Sequence, residues 1–457
     1  MTERIVLVGA GSAMFTRGLV ADLVRRGEHV EVRLVDVDPE ALRVAEALSA
    51  KMAESRGAPV TVRASTDRRD LLPGATAVIC TVGVGGRRAW EQDVFVPRRY
   101  GIHQPVGDTV MPGGTSRALR MIPAMVAIAE DVLDLCPEAL FFSYGNPMSA
   151  NCRAIRKATG APVVGLCHGV HHVAGHLGGL LGVERATLRH TAVGINHCTW
   201  FTGLWSEGRD LMPDLLRMAR ERVQANRGHE AGLAAGGIVD GREQLVAEDP
   251  FCWELARLFG AFPAVGDRHV TEFFPWLFPG GRYYGRTLGV DVFSFEDTIR
   301  FGDEIYERMR ESALSDGPLP ADYWDSIPGE HEQVIEIIDS IRRDAGRIYS
   351  VNLPNAGQAP NLPPDAVVEC PAIATAAGLR AIQQPALPAG AAALLATRFG
   401  WVETVVEAAL EASRPKFAQA LLVDGAVTTV EEAERLAGDL LEAQRDHLPA
   451  FFASSDR

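Results

Sequence analysis

Apolar residues early in the chain form short runs, each followed by a turn and an amphipathic stretch. Arg4–Val8 is such a run, and strands that are buried on both faces of a parallel sheet have this pattern. A glycine turn and apolar positions spaced along Leu19–Val24 follow, and then a second strand pattern, Val32–Asp36. These segments predict a βαβ unit. Further predicted strands are Val60–Arg63, Ala77–Thr81, Leu140–Tyr144, Val163–Leu166 and Thr191–Ile195.

After residue 195 the alternation of strands and helices ends and helical patterns dominate. The predicted helices are Leu211–Arg227, Glu243–Phe259, Asp297–Ser312, Gly329–Ile348 and a long stretch from Ala389 to Leu422. Loops rich in Gly, Pro and aromatic residues, Phe273–Gly285 and Asn352–Pro364, lie between them. We therefore predict an α/β chain with a Rossmann-type doubly wound sheet over residues 1–195. A second, mainly helical α+β domain over residues 196–457 is predicted to carry substrate contacts and subunit contacts.

Composition limits the classes of protein to which the chain can belong. Its 457 residues are 47% hydrophobic and 23% charged, as in ordinary globular proteins, and suit two closely packed domains. The net charge of −14 argues against a nucleic-acid partner, because phosphate backbones attract clustered Lys and Arg. No apolar run reaches the roughly 18 residues of a membrane helix. Seven widely spaced cysteines and the lack of an apolar leader predict a cytoplasmic protein.

A glycine motif stands between the first predicted strand and the first predicted helix. Gly9 suits a tight turn, and Gly11 allows the backbone to approach a pyrophosphate at the helix N-terminus. Met14 replaces the third glycine of the usual motif, whereas Asp36 ends the second strand where a carboxylate binds ribose hydroxyls. These features predict NAD rather than NADP; the alternative is a glycine turn that binds no nucleotide. A second cluster, Gly83-Val84-Gly85-Gly86, is predicted to pass near the nicotinamide.

Three polar segments follow predicted strands, where open α/β sheets bind ligands. Asn146 can hydrogen-bond to vicinal hydroxyls, although asparagine is also a common turn residue. Cys167 and His197 follow two later strands, and they would meet if those strands were neighbours. A thiolate and an imidazole with open positions between them suit a borderline divalent metal. The alternative is a buried free cysteine and an unrelated histidine.

The segment Gly266–Phe274 mixes ionisable and large apolar side chains, which is typical of a loop that covers a cleft. Within it, Asp267 is a candidate general base and His269 a candidate proton carrier. A solvated loop with an ion pair explains the same residues equally well, so the segment alone leaves both interpretations open.

Together these segments resemble the NAD- and manganese-dependent glycosidases of glycoside hydrolase family 4. The similarity runs through most of the chain, and its matches keep their order along the sequence. They are Gly9-Ala10-Gly11-Ser12, Phe15-Thr16, Gly107-Asp108-Thr109, Pro112-Gly113-Gly114, Arg117-Ala118-Leu119-Arg120, Asn146-Pro147-Met148, Cys167-His168, Asn196-His197, Val351-Asn352, Asn355, Gly357, Asn361-Leu362-Pro363 and Glu369.

The resemblance implies a fold like that of lactate and malate dehydrogenases with an added C-terminal domain, assembled as a homodimer or homotetramer. It implies that Cys167 and His197 bind the metal, and that Asn146 holds the sugar hydroxyls beside the cofactor. The cofactor-binding residues that it implies are Gly9, Gly11, Ser12, Phe15, Asp36, Gly83, Gly85 and Asn146.

The catalytic residues are also implied by the resemblance. Asp267 is similar in placement to the base of some α-glycosidase members. Other members use a tyrosine, for which Tyr283 and Tyr284 are the candidates in this chain, and His168 is a further catalytic candidate.

The implied mechanism joins a redox cofactor to a hydrolysis. Hydride passes from C3 of the sugar to NAD, and the resulting ketone acidifies the proton at C2. The base removes this proton while the metal stabilises the enediolate, and the glycosidic oxygen leaves C1 by elimination. Water then adds and the hydride returns, so NAD is recycled without net redox change.

The segment Cys167-His168-Gly169-Val170 is most similar to members that act on uronides, α-galacturonides or α-glucuronides. A C6 carboxylate needs cationic partners, and arginines near the motifs are Arg87, Arg88, Arg117, Arg153 and Arg268. The substrate contacts predicted beside Asn146 are Arg88, Arg153, Arg268 and His269. Val110-Met111 and the arginine at 153 depart from the usual family pattern and also suit the C6 sulfonate of sulfoquinovose. A neutral α-galactoside or α-glucoside is a further alternative.

Two other classes of protein fit the dinucleotide motif. A 2-hydroxy-acid dehydrogenase on the same fold would need a His–Asp pair and an arginine for the substrate carboxylate, and would accumulate NADH. A regulator that senses NAD or a sugar would bind its ligand without turnover.

Overall fold

The first half of the chain forms a parallel sheet. The structure is a computed structural model that describes residues 2–226, 238–239, 242–243, 249–327 and 333–453. The elements up to the sixth strand are β1 (Glu3–Val8), α1 (Thr16–Arg26), β2 (Val30–Val35), α2 (Pro39–Ser55), β3 (Val60–Ser65), β4 (Ala77–Cys80), α3 (Gly86–Arg98), α4 (Met111–Leu135), β5 (Leu140–Ser143), α5 (Met148–Thr159) and β6 (Val164–Gly165). Their strands lie in the order β3-β2-β1-β4-β5-β6, with every neighbouring pair parallel. The predicted Rossmann-type sheet is confirmed.

The second half adds helices and antiparallel strands. Its elements are α6 (Gly169–Leu180), β7 (Leu188–Ile195), β8 (Cys198–Ser206), β9 (Arg209–Asp210), α7 (Met212–Asn226), β10 (Ile238–Val239), β11 (Arg242–Glu243), α8 (Pro250–Phe259), β12 (Phe262–Pro263), α9 (Asp267–Val270), β13 (Arg282–Tyr283), β14 (Arg286–Thr287), α10 (Phe295–Leu314), α11 (Val334–Arg342), β15 (Arg347–Pro354), β16 (Val367–Thr375), β17 (Gly378–Ala381), α12 (Ala389–Leu410), α13 (Arg414–Asp424) and α14 (Val430–Ala443). None of the helices in the described ranges is long and apolar enough to cross a membrane.

The two halves share one sheet. Beyond β6 it continues in the order β15-β16-β7-β8-β12, and each of these pairings is antiparallel. The strands β6 and β7, which precede Cys167 and His197, are therefore separated by β15 and β16. The two strands are therefore not neighbours, and adjacent strands are not what would bring Cys167 and His197 together. The domain boundary after residue 195 stays a prediction.

The strand β1 shows why the early apolar runs are continuous. Ile5 and Leu7 belong to a core formed with α1, α2, α10 and α11, whereas Val6 and Val8 belong to a second core formed with α4 and α5. All four side chains are at most 5% exposed. The strand is thus buried on both faces, as the absence of polar alternation predicted.

Several element bounds differ from the sequence prediction. The helix α8 begins at Pro250, a residue suited to the first helical turn, while Glu243 lies in a short strand. The predicted helix 329–348 begins outside the described residues, and its end lies in β15, which starts at Arg347. The long predicted helix 389–422 divides at Ala412, which has a φ of 48°, and the Ser413 side chain then caps α13.

A buried ion pair connects the glycine cluster after β4 to the end of the chain. Asp93 on α3 and Arg120 on α4 form two hydrogen bonds, of 2.9 and 2.5 Å, and both side chains are fully buried. The Arg120 Nε also donates to the Val84 carbonyl at 2.9 Å. From beyond α14, the Gln444 amide donates to Asp93 at 2.9 Å and to the Ala89 carbonyl at 2.7 Å. One charged pair therefore joins three parts of the chain.

Replacing one partner of this pair is expected to destabilise the protein strongly. Asp93→Ala leaves the Arg120 guanidinium buried without its counter-ion, which costs about 3–5 kcal/mol of the free energy of unfolding. Urea denaturation followed by circular dichroism measures the loss. The matched control is Arg300→Ala, which removes an exposed pair with Glu304 and is expected to cost under about 1 kcal/mol. Equal losses in the two variants would contradict the proposed importance of the buried pair.

Candidate active site

The first glycine turn is held by backbone hydrogen bonds to the end of β2. The Gly9 and Ala10 N–H groups donate to the Val35 carbonyl at 2.9 and 3.0 Å, and the Gly11 N–H donates to Asp36 Oδ2 at 2.7 Å. Gly9 has a φ of +91°, and a Cβ there would lie 2.8 Å from the Val82 nitrogen. Only glycine fits this position, so the turn has the shape that a dinucleotide cradle requires.

The other predicted cofactor residues line the same end of the sheet. Ser12 Oγ accepts a hydrogen bond from the Phe15 N–H at 3.3 Å, and the Phe15 ring contacts Tyr144 after β5 with ring centroids 5.1 Å apart. The Arg117 guanidinium lies beside Gly83, where an added Cβ would be 3.4 Å from a terminal nitrogen. Gly85 has a φ of +76° and packs closely against Ala89 and against His447, which follows α14. The roles of these residues towards NAD remain predictions.

A chain of hydrogen bonds joins Asn146 to His197. The Asn146 amide donates to Asp108 Oδ2 at 2.8 Å, and the Thr109 hydroxyl donates to Asp108 Oδ1 at 2.6 Å. Thr109 Oγ1 also lies 2.8 Å from Nδ1 of His197. Because the Thr109 hydroxyl has a single proton and donates it to Asp108, Thr109 accepts the hydrogen bond from the His197 Nδ1–H. This arrangement leaves Nε2 of His197 with its lone pair available.

The residue His197 is part of a compact group of side chains that could hold a metal ion. Ligand atoms of Asp108, His197 and His269 all lie within 4.8 Å of one another, and the two imidazole rings have centroids 4.2 Å apart. Burial lowers the pKa of His197 to about 4 and that of His269 well below its usual value, so both rings are neutral at pH 7. Two neutral imidazoles and a carboxylate are a donor set that fits a first-row divalent cation.

A buried glutamate holds the turn that carries Asp108. Glu272 is 1% exposed, and its Oε1 accepts hydrogen bonds from the N–H groups of Val106 and Gly107, both at 2.8 Å. Burial raises the pKa of Glu272 to about 8, against the opposing effect of the two backbone donors. Since Gly107 directly precedes Asp108, the glutamate fixes the turn from which the Asp108 carboxylate projects.

The predicted ligand Cys167 lies outside this group. It is half-buried in the loop after β6, where the Gly169 N–H approaches its Sγ at 3.4 Å. His168 is exposed at the start of α6, and its ring lies 5.2 Å from that of His172. His168 still lies close enough to His197 to lower its pKa. The metal role of Cys167 and the catalytic role of His168 remain predictions.

Two rival candidates for the base are hydrogen-bonded to each other. Asp267 is fully buried, and its carboxylate accepts from the Phe251 and Cys252 N–H groups at 2.8 Å and from the Tyr283 hydroxyl at 2.5 Å. Burial raises the pKa of Asp267, although hydrogen bonds from the Cys252 side chain, from Tyr283 and from the two backbone N–H groups oppose the change, and burial also raises the pKa of Tyr283. The Tyr284 ring packs edge-on against Tyr283. Asp267 therefore stabilises the N-terminus of α8 in addition to any chemical role.

Two of the arginines predicted to bind substrate already have carboxylate partners. Arg88 is exposed and pairs with Glu91 at 2.6 Å and with Asp303. Arg153 pairs with Glu403 on α12 at 2.5 Å. Both guanidiniums therefore already have acidic partners in the protein, and their roles as substrate contacts remain predictions.

Two other guanidiniums have no such partner. Arg268 is 7% exposed and donates to the Thr298 hydroxyl at 3.0 Å. Arg117 is half-buried and donates to the Asn146 carbonyl at 3.1 Å, and loss of hydration lowers its pKa. Among the residues that the structure describes, neither lies within salt-bridge distance of a carboxylate.

Three residues of the site received no role from the sequence: Asp108, Thr109 and Glu272. The first two stand in the Gly107-Asp108-Thr109 segment that resembles the family. Their connection to His197 depends on how distant strands meet, which local patterns do not report. Glu272 follows His269 by three residues, and a charged residue next to Phe273 and Phe274 was the available signal for a buried carboxylate.

Two sequence profiles match most of the chain. Residues 4–183 match the Family 4 glycosyl hydrolase profile, and residues 192–427 match that of the Family 4 glycosyl hydrolase C-terminal domain. The chain belongs to glycosyl hydrolase family 4. This family 4 enzyme is 30% identical to an alpha-galactosidase of Rhizobium meliloti, over 99% of this chain and 90% of that protein. It is 31% identical to an alpha-galacturonidase of Bacillus subtilis, over 96% and 97% of the two chains.

Solved structures agree with this family. The crystal structure of the protein LplD of Bacillus subtilis is 30% identical, with a TM-score of 0.83 over 96% of this chain and all of that one. A 6-phospho-alpha-glucosidase from gut microorganisms, in complex with NAD and Mn²⁺, has a TM-score of 0.82 at 19% identity, over 98% and 99% of the chains. A malate dehydrogenase of Cryptosporidium parvum has a TM-score of 0.52 at 13% identity, over 90% and 99%. The last two similarities concern the fold alone; the predicted family and the predicted enzyme class are confirmed.

Removing the buried glutamate of the family 4 enzyme is expected to loosen the Asp108 turn. Glu272→Ala leaves two backbone N–H groups buried without an acceptor, at a cost of about 1–3 kcal/mol each. Thermal denaturation measures the effect. Glu272→Gln is the matched control, because its amide oxygen still accepts both hydrogen bonds, and it is expected to lose much less stability. If the alanine variant were as stable as the glutamine variant, the two hydrogen bonds would not hold the turn.

Proposed function

We propose that this family 4 enzyme is an NAD- and manganese-dependent glycosidase that cleaves α-galacturonides or α-glucuronides through transient oxidation at C3 and elimination across C1 and C2. The observation that carries the substrate class is the pair of poorly hydrated guanidiniums, Arg117 and Arg268, which have no carboxylate partner among the described residues. A C6 carboxylate on the sugar supplies the negative charge that they lack. The similarity to the alpha-galacturonidase of Bacillus subtilis supports the same class.

The cofactors are proposed from the shape of the site and from the family. The Gly9–Gly11 turn and Asp36 would hold NAD, and His197 and the Asp108 carboxylate beside it would hold the divalent cation, with Cys167 as the further predicted ligand. The similar 6-phospho-alpha-glucosidase in complex with NAD and Mn²⁺ supports both. When bound, NAD supplies a reversible hydride acceptor for C3 and manganese supplies a Lewis acid.

The side chains of the site have separate tasks in this proposal. Asn146 is fixed by its hydrogen bond to Asp108 and keeps its amide oxygen and a second N–H for the sugar hydroxyls. Arg268 binds the C6 carboxylate, and its charge lies close enough to lower the pKa of His197 and His269. Arg117 lies against the Asn146 carbonyl and orients this amide as well as adding positive charge.

Asp267 is our proposed base for the proton at C2, with Tyr283 as its hydrogen-bond partner. Burial raises the pKa of Asp267, and a carboxylate in such surroundings is a stronger base than one in water. The Tyr283 hydroxyl is positioned to share the proton that Asp267 receives. His168 stays a candidate proton carrier, Tyr284 an alternative base, and a cytoplasmic homodimer or homotetramer the proposed form of the enzyme.

A panel of glycosides tests the substrate class. With NAD and Mn²⁺ present, the nitrophenyl α-galacturonide or α-glucuronide is expected to be cleaved with the highest kcat/KM, compared with the α-galactoside, α-glucoside and α-sulfoquinovoside. Absorbance at the NADH band is expected to show no net accumulation, because the hydride returns to the product. Preferred cleavage of a neutral glycoside or the sulfonate would reject the uronide, and stoichiometric NADH would favour a dehydrogenase.

A variant of Arg268 tests whether this residue recognises the C6 carboxylate. Arg268→Leu is expected to lower kcat/KM for the uronide by about 10- to 100-fold, the equivalent of one charged hydrogen bond of about 1.5–3 kcal/mol, and to change the neutral glycosides far less. Arg88→Leu is the matched control, because that guanidinium pairs with Glu91 and Asp303 at the surface. An equal loss of kcat/KM on every substrate would show that Arg268 does not recognise the C6 group.

Exchange of the C2 proton tests the base. In deuterated buffer with NAD and Mn²⁺, Asp267→Asn is expected to slow the exchange of this proton by about 10²- to 10⁴-fold, the usual contribution of a general base. Tyr283→Phe keeps the carboxylate and is expected to slow the exchange by much less. Mass spectrometry of the recovered substrate measures both rates, and circular dichroism verifies that α8 still forms. The opposite order of the two losses would assign the base to Tyr283.

A further inference from the structure

The side chain of His269 has a setting that its role as a substrate contact does not explain. It belongs to α9, a single helical turn whose position is fixed at Asp267 by three hydrogen bonds from α8 and Tyr283. The Thr271 hydroxyl adds another, to the Asp267 carbonyl at 2.7 Å. The imidazole of His269 is therefore presented to its neighbours from a rigid turn rather than from a mobile loop.

The neighbours of His269 are themselves arranged for metal binding. Its ring lies against that of His197, with centroids 4.2 Å apart and planes 39° apart, and the Asp108 carboxylate completes the group. With all three ligand atoms within 4.8 Å of one another, one ion with bonds of about 2.1 Å can join them after sub-ångström adjustments.

The surrounding hydrogen bonds prepare the ligand atoms. The hydroxyl of Thr109 bridges Asp108 and Nδ1 of His197, which directs the His197 lone pair to Nε2. Metal-binding histidines commonly donate their second ring N–H in this way, because the donation fixes the tautomer and the ring orientation. Asp108 is held from the other side by Asn146 and, through its own turn, by Glu272.

We propose that His269 is a third protein ligand of the divalent cation, beside His197 and Asp108. Two neutral imidazoles and one carboxylate suit a first-row cation such as Mn²⁺, and a six-coordinate ion keeps positions open for sugar oxygens, water or Cys167. The proposal rests on the proposed metal dependence of the enzyme, but it concerns which side chains bind the ion and not which sugar is cleaved. It also gives Asp267 a second task, since this carboxylate positions the turn that carries His269.

Pulsed electron paramagnetic resonance of Mn²⁺ tests the proposal on the intact protein with NAD added and no sugar present. The wild-type protein is expected to show couplings from the nitrogens of two imidazoles, and His269→Gln from one. The dissociation constant of Mn²⁺, measured from the free-ion signal, is expected to rise at least 10-fold in His269→Gln, the usual effect of disturbing the surroundings of a bound metal. His190→Gln is the matched control, because His190 is a half-buried histidine of β7 that packs on Phe201 and is expected to leave both values unchanged.

The outcomes separate this proposal from the proposed function. Coupling to a single imidazole in the wild-type protein would overturn the role of His269, whether or not the variant folds. A dissociation constant within two-fold of wild type in a folded His269→Gln would overturn it as well. Neither result depends on glycoside cleavage, so a panel without any cleaved sugar would count against the proposed function while two coupled imidazoles still supported this ligand set.

Discussion

The insertion of β15 and β16 between β6 and β7 is the constraint on which the rest of the structure depends. These two strands pair with each other along eight residues, from Arg347 to Pro354 on β15. By contrast, β15 pairs with β6 at one register position, and β16 pairs with β7 at one register position. Those positions are Asn352 beside β6 and Glu369 beside β7, and both are buried. The parallel and the antiparallel parts of the sheet are thus joined through a late hairpin whose contact residues are polar.

This hairpin determines where the chemistry lies. The loop with Cys167 follows β6 on one side of the hairpin, and the turn with His197 follows β7 on the other side. Glu369 accepts a hydrogen bond from the Thr199 hydroxyl at 2.6 Å, and burial raises its pKa to about 7. A buried carboxyl group therefore lies under the turn that carries His197. The carboxylate and the second imidazole that lie beside His197 come from the Asp108 turn and from α9.

The sequence predicted the parts of the molecule that local patterns control. The βαβ unit, the glycine turn at Gly9 and the carboxylate of Asp36 all lie where the apolar runs and the turn residues indicated. The strand β16 escaped prediction because Glu369 and Pro371 interrupt its apolar run, although the strand is almost wholly buried.

The residues of the site were harder to predict because they converge from distant positions. Asp108, His197 and His269 lie in three segments that only the sheet topology brings together, and no periodicity reports such a meeting. The partners of the arginines were hidden from the sequence for a related reason. Arg88 and Arg153 stand next to motifs in the sequence, but their carboxylate partners Asp303 and Glu403 come from helices much later in the chain. The family and the fold could therefore be predicted from the order of motifs along the chain. Which arginines have a carboxylate partner in the folded protein could not.

The contact between Gln444 and Asp93 has a consequence for synthesis of the chain. During translation the residues of the parallel sheet leave the ribosome before β15 and before Gln444. At that stage one edge of β6 has no partner strand, and the Asp93–Arg120 pair lacks the hydrogen bond from the Gln444 amide. An open strand edge is prone to pair with other chains. This edge is covered only when β15 pairs with β6, and the buried ion pair gains its last donor only when Gln444 has followed.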